Sequence, residues 1–300
     1  QQPFTPAKSY APTLSDALER YCRLKGGNRS ELFFTAAHRN MGYVIERLGD
    51  RSLDSYSSAD AAQFRDWLIE KGLSTSSIRR IFSTIRAVFN LTIHEEGLDC
   101  KNAFVNTFLP TDERPKRLSI SPEDIKRVQN VCLEVGDEKR LLIALLSDTG
   151  MRLSEALGLV WGDIHLEHEY PHISLKPHPW RPLKTSGSKR LIPLVGVAHE
   201  AIIIMHRQRV SQFLFNSYTD ENKCNGNSAS AALNKWLKQY VPDAVVHSFR
   251  HSFRDRLRNA GVQSEMIDQL GGWSNKTVGQ GYGVGYELEK MSLSLRLIRS

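Results

Sequence analysis

The chain has 300 residues and a net charge of +7, from 40 Lys and Arg against 33 Asp and Glu. A typical domain size of roughly 150 residues therefore predicts two domains. The hydrophobic content of 40% and the charged content of 24% exclude a long disordered chain. No apolar run approaches the roughly 18 residues of a membrane span, and we expect neither a span nor a signal peptide. The surplus of positive charge is a mild indication of a polyanionic partner.

The cysteine pattern bears on the compartment. The four cysteines are scattered without a C-x-x-C pair, which disfavours a disulfide scaffold and a cysteine zinc site and favours a reducing compartment. Because the sequence begins at Gln1 rather than at a methionine, we expect it to be part of a longer protein.

Residues 10–100 have a helical pattern. Capping residues, apolar side chains at helical spacing and glycine stops predict helices over about 13–26, 30–48, 58–72 and 74–97. Four helices of this length with short joins predict a compact bundle.

The fourth of these helices has a second, polar face. It carries Thr75, Arg79, Arg80, Ser83 and Arg86. The face is either a solvated basic surface or a surface laid against DNA phosphates, because guanidinium groups match phosphate oxygens. The sequence leaves both interpretations open.

A polar, proline-bearing stretch separates the bundle from the rest. Residues 110–120 lack periodicity and predict an interdomain linker. Ser121-Pro122-Glu123-Asp124 then has the signature of a helix start. We therefore predict one domain over residues 1–109 and a second over 121–300.

The second domain has mixed patterns. It predicts strands over 173–175, 180–184 and 190–194 with a turn at 185–187, and helices over 138–147, 153–159, 198–209, 231–240, 249–260 and 263–270. The predicted fold class is mainly α with a small β-sheet, a four-helix domain being followed by a mixed α/β domain.

Several polar residues of this domain are candidates for chemistry. Arg152 lies at a helix–turn–helix junction, and Glu155 three residues later can hold its guanidinium. His247 and Arg250 share one side of a helix start, where free backbone N–H groups favour an anion. Lys184 lies at the mouth of the predicted hairpin. Each residue alone is more typical of a surface, a cap or a turn.

Two further patterns concern metals and tyrosines. His247 and His251 have the spacing of zinc ligands, but Ser248 stands where the zinc motif has Glu, so we expect no metal. Tyr282 lies among four glycines within seven residues, followed by Tyr286. A backbone of this composition can swing a phenol by several ångströms.

In combination these residues are less ordinary. Cleavage of a phosphodiester by a protein nucleophile needs cations on the non-bridging oxygens, an acid for the leaving oxygen and a base for the nucleophile. Two arginines, one lysine, one histidine and a tyrosine supply that set without a metal. A two-metal nuclease would need a dense cluster of Asp and Glu, and the sequence has none.

The chain resembles the tyrosine recombinases, the phage-integrase family of site-specific DNA recombinases. The segment Thr149-Gly-Met-Arg-Leu-Ser-Glu-Ala-Leu-Gly-Leu-Val-Trp-Gly-Asp-Ile surrounds the first arginine, His247-Ser-Phe-Arg-His-Ser-Phe surrounds the second, and Leu270-Gly-Gly-Trp-Ser-Asn precedes the tyrosine. The resemblance rests on the order Arg152, Lys184, His247, Arg250, Trp273, Tyr282.

The resemblance implies a role for each of these positions. Tyr282 would attack the scissile phosphate and form a 3′-phosphotyrosyl link. Arg152 and Arg250 would clamp the non-bridging oxygens. Lys184 would protonate the leaving 5′-oxygen, and His247 would help to take the phenolic proton.

Other positions receive supporting roles. Trp273 stands where many members carry a second histidine, and its indole can donate one N–H but cannot move a proton. Glu155 would hold Arg152, and His251 is assigned a structural role. Lys189 is a rival of Lys184, because the hairpin is about one residue longer than is common, and Tyr286 is a rival nucleophile. The predicted DNA-binding residues are Arg79, Arg80 and Arg86 on the fourth helix and Lys189 and Arg190 on the hairpin.

The resemblance covers essentially the whole chain and also implies partners. It implies an N-terminal four-helix, SAM-like core-binding domain and a mixed α/β catalytic domain acting on duplex DNA with a specific recombination site, as in viral genome integration. It further implies a tetramer on DNA, accessory DNA-bending proteins, no cofactor, and a cytoplasmic, nucleoid-associated location in a bacterial host cell. The apolar tail over residues 288–298 either packs on its own domain or docks into a neighbouring protomer, which the resemblance favours.

The sequence leaves three alternative functions. A type IB topoisomerase-like enzyme would share the fold and the chemistry but would relax supercoils without exchanging strands. A catalytically idle DNA-binding module is disfavoured because all six site positions are filled. A hydrolase with a histidine-based metal site is the remote third.

Overall fold

A computed structural model describes residues 11–27, 29–111, 119–273 and 285–298. The chain divides into two compact units, Gln1–Pro115 and Lys116–Ser300. Each unit has its own hydrophobic core.

The first unit is helical, with the elements α1 (Leu14–Lys25), α2 (Glu31–Leu48), α3 (Ser58–Glu70) and α4 (Thr75–Glu96). Two of the helices begin with reciprocal capping boxes, Thr13 with Asp16 and Ser57 with Asp60. Because each box satisfies backbone N–H groups that a helix start leaves unpaired, these boundaries are set by local sequence.

Aromatic rings fill the core of the first unit. Phe64, Phe82, Phe89 and Phe104 are fully buried, and the Phe104 ring lies 5.1 Å from that of Phe89 between centroids. Phe104 lies beyond α4, so the segment after the last helix folds back onto the bundle and completes its core.

The second unit is built around one buried helix. Its helices are α5 (Pro122–Val135), α6 (Glu138–Thr149), α7 (Leu153–Leu157), α8 (Gly196–Arg207), α9 (Gly226–Leu237), α10 (Ser248–Asn259), α11 (Ser264–Gly271) and α12 (Leu288–Arg296). Every residue of α6 from Leu141 to Thr149 is buried, because α5, α8 and α10 all pack against it. Because α6 is packed on all sides, the position of its C-terminal end, and of Arg152 just after it, is fixed.

Among the described residues, a small antiparallel sheet is formed by β1 (Ile164–His165), β2 (His172–Leu175) and β3 (Arg190–Pro193). Ile173 of β2 lies opposite Ile164 on one side and Ile192 on the other. The fold-class prediction, mainly α with a small sheet, is confirmed.

The predicted strand over residues 180–184 was wrong. Residues 176–189 form instead a long loop between β2 and β3, which we call the lysine loop because it carries Lys184. Pro177, Pro179 and Pro182 each lack the backbone N–H that a strand ladder needs, so the segment cannot pair regularly. Lys184 is thus in a loop and not at the mouth of a two-stranded hairpin.

The C-terminal helix α12 packs on its own unit. Met291 and Leu295 are buried in a cluster with Phe253 of α10 and Leu270 of α11. This packing matches the first of the two fates that the sequence left open for the apolar tail. Docking into a neighbouring protomer, which the resemblance favours, stays a prediction. Within the described residues, no helix is both long and apolar enough to cross a bilayer.

Candidate active site

The turn after α6 positions the first arginine. Gly150 ends α6 with a left-handed backbone, φ 63°, and a Cβ there would meet the Phe253 ring at 2.5 Å. Arg152 then begins α7, where its backbone N–H donates to Glu155 Oε2 at 2.9 Å and its Nη1 donates to Glu155 Oε1 at 2.5 Å. Backbone and guanidinium are therefore fixed by one carboxylate.

Glu155 is the buried centre of two ion pairs. Its side chain is 3% exposed, and its Oε2 also accepts from Arg190 Nη2 at 3.1 Å. Burial opposes ionisation, but the Arg190 guanidinium and the bonds from Arg152 outweigh it and lower the pKa of Glu155. The carboxylate is therefore ionised at neutral pH and holds both guanidiniums.

Arg190 does not lie on the surface where the sequence placed a phosphate contact. Its side chain is 4% exposed, its Nε donates to the Leu270 carbonyl at 2.9 Å and its Nη1 donates to the Ser188 carbonyl at 2.9 Å. All its nitrogens are engaged within the protein. Arg190 ties β3 to α11 and to Glu155 instead of presenting a free charge to DNA.

The second arginine comes from the first turn of α10. Arg250 is 4% exposed, and its Nη1 donates to the carbonyl of Gly150. Among the described residues its buried Nη2 has no hydrogen-bond partner. Burial, and the neighbouring charges of Arg152 and Arg190, lower the pKa of Arg250 to about 9. The positive charges of Arg152 and Arg250 thus lie close together beside an unpaired N–H. A bound anion would offset the repulsion between the two charges and would give the buried N–H a partner, whose absence is costly.

Trp273 covers this site from one side. The Arg250 guanidinium lies 4.2 Å from the centroid of the ring, and that of Arg254 lies 4.7 Å from it. The two preceding glycines are required here: a Cβ at Gly271 would lie 1.8 Å from the indole, and Gly272 has φ 64° with Arg190 Nη1 2.6 Å from its would-be Cβ. The Gly271-Gly272-Trp273 sequence therefore allows the ring to reach Arg250.

The histidines are at the same helix start but exposed. His247 immediately precedes α10, and its ring meets that of His251 edge-on at 5.3 Å between centroids. Within residues 11–27, 29–111, 119–273 and 285–298, no group of three His, Cys, Asp or Glu side chains is arranged to hold a metal ion.

Lys184 and Lys189 are both exposed on the lysine loop. Lys184 is linked to Arg152 through its own loop, by way of Ser188 and Thr185. Ser188, fully buried, accepts from Arg152 Nη1 at 3.3 Å and shares a hydrogen bond with Thr185 Oγ1 at 3.0 Å.

A second anchor holds the base of the lysine loop. His178 and Arg181 exchange both backbone hydrogen bonds, at 3.1 and 3.0 Å, and close a tight turn. Arg181 is buried, and its Nη1 donates to the Lys176 carbonyl at 2.8 Å. His178 Nε2 bonds to the fully buried carboxylate of Asp163 at 2.8 Å, and Trp180 donates its indole N–H to Gly158. The turn is thereby fixed to the segment following α7.

The two tyrosines differ in what the structure describes. Tyr282 lies outside the described residues. Tyr286 donates its hydroxyl to Gln263 Oε1 at 2.7 Å, and its backbone N–H and carbonyl both bond to the Gln269 side chain. The Tyr286 phenol is therefore held at the start of α11, bonded to an amide rather than to Arg152 or Arg250.

The basic face of α4 is divided between two tasks. Arg79 donates to the carbonyls of Leu109 and Pro110, each at 3.1 Å, and Arg86 donates to those of Phe104 and Thr107. These two guanidiniums tie down the segment after α4.

Arg80 follows Arg79 at about 100° around the helix axis, and its exposed side chain lies on the side of α4 that faces α2. It lines a groove of about 610 Å³ between α2 and α4 together with Arg39, Ser74 and Ser77. The groove thus combines two exposed guanidiniums with hydroxyl groups.

Sequence reasoning missed the residues that brace the site. Ser188 and Arg181 belong to none of the motifs in the sequence, and Asp163 lies in the segment around Arg152 but was assigned no role. A lone polar or charged residue is far more often exposed than buried, so nothing in the sequence indicated that these side chains are buried. Arg254 belongs to the run of arginines in α10, but the pattern does not show that it stacks on Trp273.

Comparisons with known proteins show what this chain is similar to. Residues 119–284 match the Phage integrase family. The transposase from transposon Tn916 of Enterococcus faecalis is 24% identical over 259 residues, which is 77% of this chain and 63% of the transposase. The chain thus spans less than two thirds of that relative. Tyrosine recombinase XerA of Pyrococcus furiosus is 27% identical over 278 residues, 89% of each chain.

A solved structure supports the fold. The Tn1549 transposon integrase in complex with circular intermediate DNA superposes with a TM-score of 0.72 at 22% identity, covering 95% of this chain and 99% of that one. The mainly helical fold with a small sheet is therefore a known one.

Proposed function

The chain belongs to the phage integrase family, and from this premise we propose that it cleaves and rejoins duplex DNA at a specific site through a covalent phosphotyrosine link. The proposal needs neither a metal ion nor ATP. One observation carries it: Arg152 and Arg250 converge beside Trp273, and the Nη2 of Arg250 is buried without a hydrogen-bond partner among the described residues.

The arginines act on the charge that grows during cleavage. As the phosphate becomes pentacoordinate, negative charge gathers on its two non-bridging oxygens. Guanidiniums that Glu155 and the Gly150 carbonyl already hold in place stabilise this charge without reorganising. The Trp273 indole covers Arg250 and lowers the local dielectric, which strengthens the interaction.

The bond changes follow from the residue types. The phenol oxygen of Tyr282 attacks phosphorus while the bond from phosphorus to the 5′-oxygen breaks. The phenolic proton, which titrates near pH 10 in an unperturbed tyrosine, passes to His247, and Lys184 gives a proton to the leaving oxygen. The reverse reaction, with a 5′-hydroxyl of another strand as nucleophile, rejoins DNA with the same groups. Because the phosphotyrosine conserves the energy of the bond, rejoining needs no other source.

We assign duplex binding to both units. In this proposal residues 1–109 form a DNA-binding domain, 110–120 a linker and 121–300 the catalytic domain. In the first unit, Arg80 and Arg39 of the α2–α4 groove replace Arg79 and Arg86 as the candidate phosphate contacts, because the latter pair is bonded to backbone carbonyls. The Tn1549 integrase was solved in complex with DNA, which supports a DNA partner here.

Recombination between two duplexes breaks four strands. If each chain contributes one nucleophile, Tyr282, four chains are needed, and we propose a tetramer on DNA. Exchange of the tail, accessory DNA-bending proteins and a nucleoid-associated, cytoplasmic location in a bacterial cell belong to the same proposal.

A suicide substrate tests the chemistry. Duplex DNA carrying a cognate site and a nick that lets the cleaved end diffuse away is incubated with the protein in EDTA, and the products are separated on a denaturing gel. We expect a covalent adduct that is lost in Tyr282→Phe and kept in Tyr286→Phe. An adduct that requires a divalent metal, or that survives Tyr282→Phe, contradicts the proposal.

A second assay separates a recombinase from a topoisomerase. Supercoiled plasmids bearing one or two sites are scored for relaxation and for exchanged junctions. Exchange that depends on two sites supports the proposal, whereas relaxation of site-free plasmid without exchange indicates the topoisomerase alternative.

A further inference from the structure

The general acid of the proposed reaction lies on an exposed loop, which raises a problem of placement. Lys184 has a flexible stem and is exposed, yet an acid must come within roughly 3 Å of the leaving oxygen. The lysine loop is therefore expected to be held by something other than Lys184 itself.

The loop is fixed at two buried points on either side of Lys184. On the N-terminal side, Arg181 is 2% exposed and bonded to the Lys176 carbonyl. On the C-terminal side, Ser188 is 0% exposed. Lys184 thus lies on a short arch whose two ends are packed in the protein, which limits the positions its backbone can take.

Ser188, the buried point on the C-terminal side, also contacts Arg152, which with Arg250 forms the proposed phosphate clamp. Ser188 Oγ accepts from Arg152 Nη1 at 3.3 Å and shares a second hydrogen bond with Thr185 Oγ1 at 3.0 Å, which its donor proton and its other lone pair both allow. The Ser188 backbone N–H donates to the Thr185 carbonyl at 3.0 Å, so that the turn 185–188 is closed twice. Arg190 Nη1 binds the Ser188 carbonyl at 2.9 Å.

We propose that Ser188 is a positioning residue that couples the place of Lys184 to the orientation of Arg152. The chain of contacts runs from Glu155 through Arg152 to Ser188 and Thr185, next to Lys184. When Arg152 is oriented to bind the phosphate, its hydrogen bond to Ser188 fixes the turn 185–188 and places Lys184 for proton donation. The inference rests on the proposed function, in which Lys184 is the acid.

Replacement of the leaving oxygen by sulfur provides a direct test. A thiol titrates near pH 8.5 and leaves as a thiolate without a proton, so a substrate with a bridging 5′-sulfur does not need the acid. Adduct formation is measured in single turnover on the oxygen and the sulfur substrate with the full chain.

We expect Ser188→Ala to slow adduct formation on the oxygen substrate about tenfold or more, a part of the ~10²- to 10⁴-fold effect of a general acid. On the sulfur substrate its rate should return to within about threefold of the parent, as should that of Lys184→Ala. Thr185→Val removes the same hydrogen bond at an exposed position that tolerates the change, and should show a smaller effect of the same kind. Gly187→Ala is the matched control in the same loop, because a Cβ there meets nothing within 4 Å.

The outcomes separate the inference from its premise. Equal slowing of Ser188→Ala on both substrates means that Ser188 acts only on the clamp, and overturns the inference. Unslowed cleavage by Ser188→Ala and Thr185→Val overturns it as well. If Lys184→Ala is not restored by sulfur, Lys184 is not the acid and the inference fails with it, while a Tyr282-dependent adduct would still support strand cleavage.

Discussion

The arginines of the site and the two residues that we propose for proton transfer, Lys184 and His247, are held in different ways. Arg250 is 4% exposed, and Arg152 is fixed by a carboxylate that is itself buried. Lys184 and His247 are exposed. A group that stabilises charge works best when it cannot move, whereas a group that donates or takes a proton must reach its partner and exchange with solvent. The comparison therefore predicts that substitutions in the buried part affect both folding and cleavage, and that substitutions in the exposed part affect cleavage alone.

The largest effect is expected from Arg250→Lys. The lysine keeps the positive charge but loses the planar fork, and it cannot bond the Gly150 carbonyl and a phosphate oxygen together as the guanidinium can. We expect adduct formation on a suicide substrate to fall about 10³-fold, at the upper end for a lost oxyanion donor.

The matched control for this change is Arg254→Lys. Arg254 lies over the same indole, 4.7 Å from its centroid, but is paired with Asp268 at 2.9 Å. It should cleave within about threefold of the parent, since the charge on the ring is kept. Equal losses in both variants would mean that the stacking on Trp273, and not the phosphate contact, sets the rate.

Glu155→Gln should be the most destabilising change in the clamp. It leaves Arg190, whose side chain is 4% exposed, without its counter-charge. Loss of one partner of a buried ion pair costs about 3 kcal/mol or more, and urea unfolding measures it directly. The control is Asp124→Asn, which breaks a surface pair with Arg127 and should cost less than about 1 kcal/mol.

The same carboxylate predicts a pH dependence. The pKa of Glu155 is lowered from 4.5 in the folded protein, so the unfolded chain binds its proton more readily. The stabilisation is therefore complete above about pH 4.5 and is lost as the pH falls through the lowered value. Glu155→Gln should flatten this part of the curve of unfolding free energy against pH; an unchanged curve would show that other acids dominate there.

Gly271→Ala tests the packing of the indole on the clamp. The added Cβ would overlap the Trp273 ring at 1.8 Å, so the ring must leave its place over Arg250. We expect a loss of about 1–3 kcal/mol in unfolding free energy, and slower adduct formation. Gly162→Ala is the control, because nothing lies within 4 Å of its added Cβ. A stable Gly271→Ala that cleaves normally would show that the ring is not required.

The sequence predicted more of the clamp than of its support. Arg152, Arg250 and Trp273 were predicted from a family pattern, and α6 and α10 from apolar periodicity. Motifs and helical periodicity are both set by residues close together in the sequence. The burial of Arg190 does not follow, since its partners Glu155 and Leu270 lie 35 and 80 residues away. The strand expected at 180–184 failed for a local reason: Pro182 within it, and Pro177 and Pro179 just before it, each lack the backbone N–H that a strand ladder needs.

The first unit shows the same limit. Arg79, Arg80 and Arg86 form one predicted face of α4, and a helical pattern cannot separate them. Arg79 and Arg86 bond to carbonyls of the segment after α4, which only the fold brings near. A guanidinium engaged with backbone in this way is a structural cation, whereas its neighbour Arg80 lines the α2–α4 groove, where it is exposed to a ligand.

The smallest expected effect is on DNA binding, and it distinguishes Arg80 from its neighbour Arg79. Arg80→Ala should weaken binding of duplex DNA a few-fold and reduce the slope of log K against log salt concentration by about 1, as for loss of a single phosphate contact. Arg79→Ala should leave that slope unchanged, because its guanidinium is committed to Leu109 and Pro110. Both are measured in the Tyr282→Phe background, so that cleavage does not deplete the complex. If Arg79→Ala changes the slope and Arg80→Ala does not, the DNA surface of this unit lies on the side of α4 that faces the segment after it, and the groove with α2 has another use.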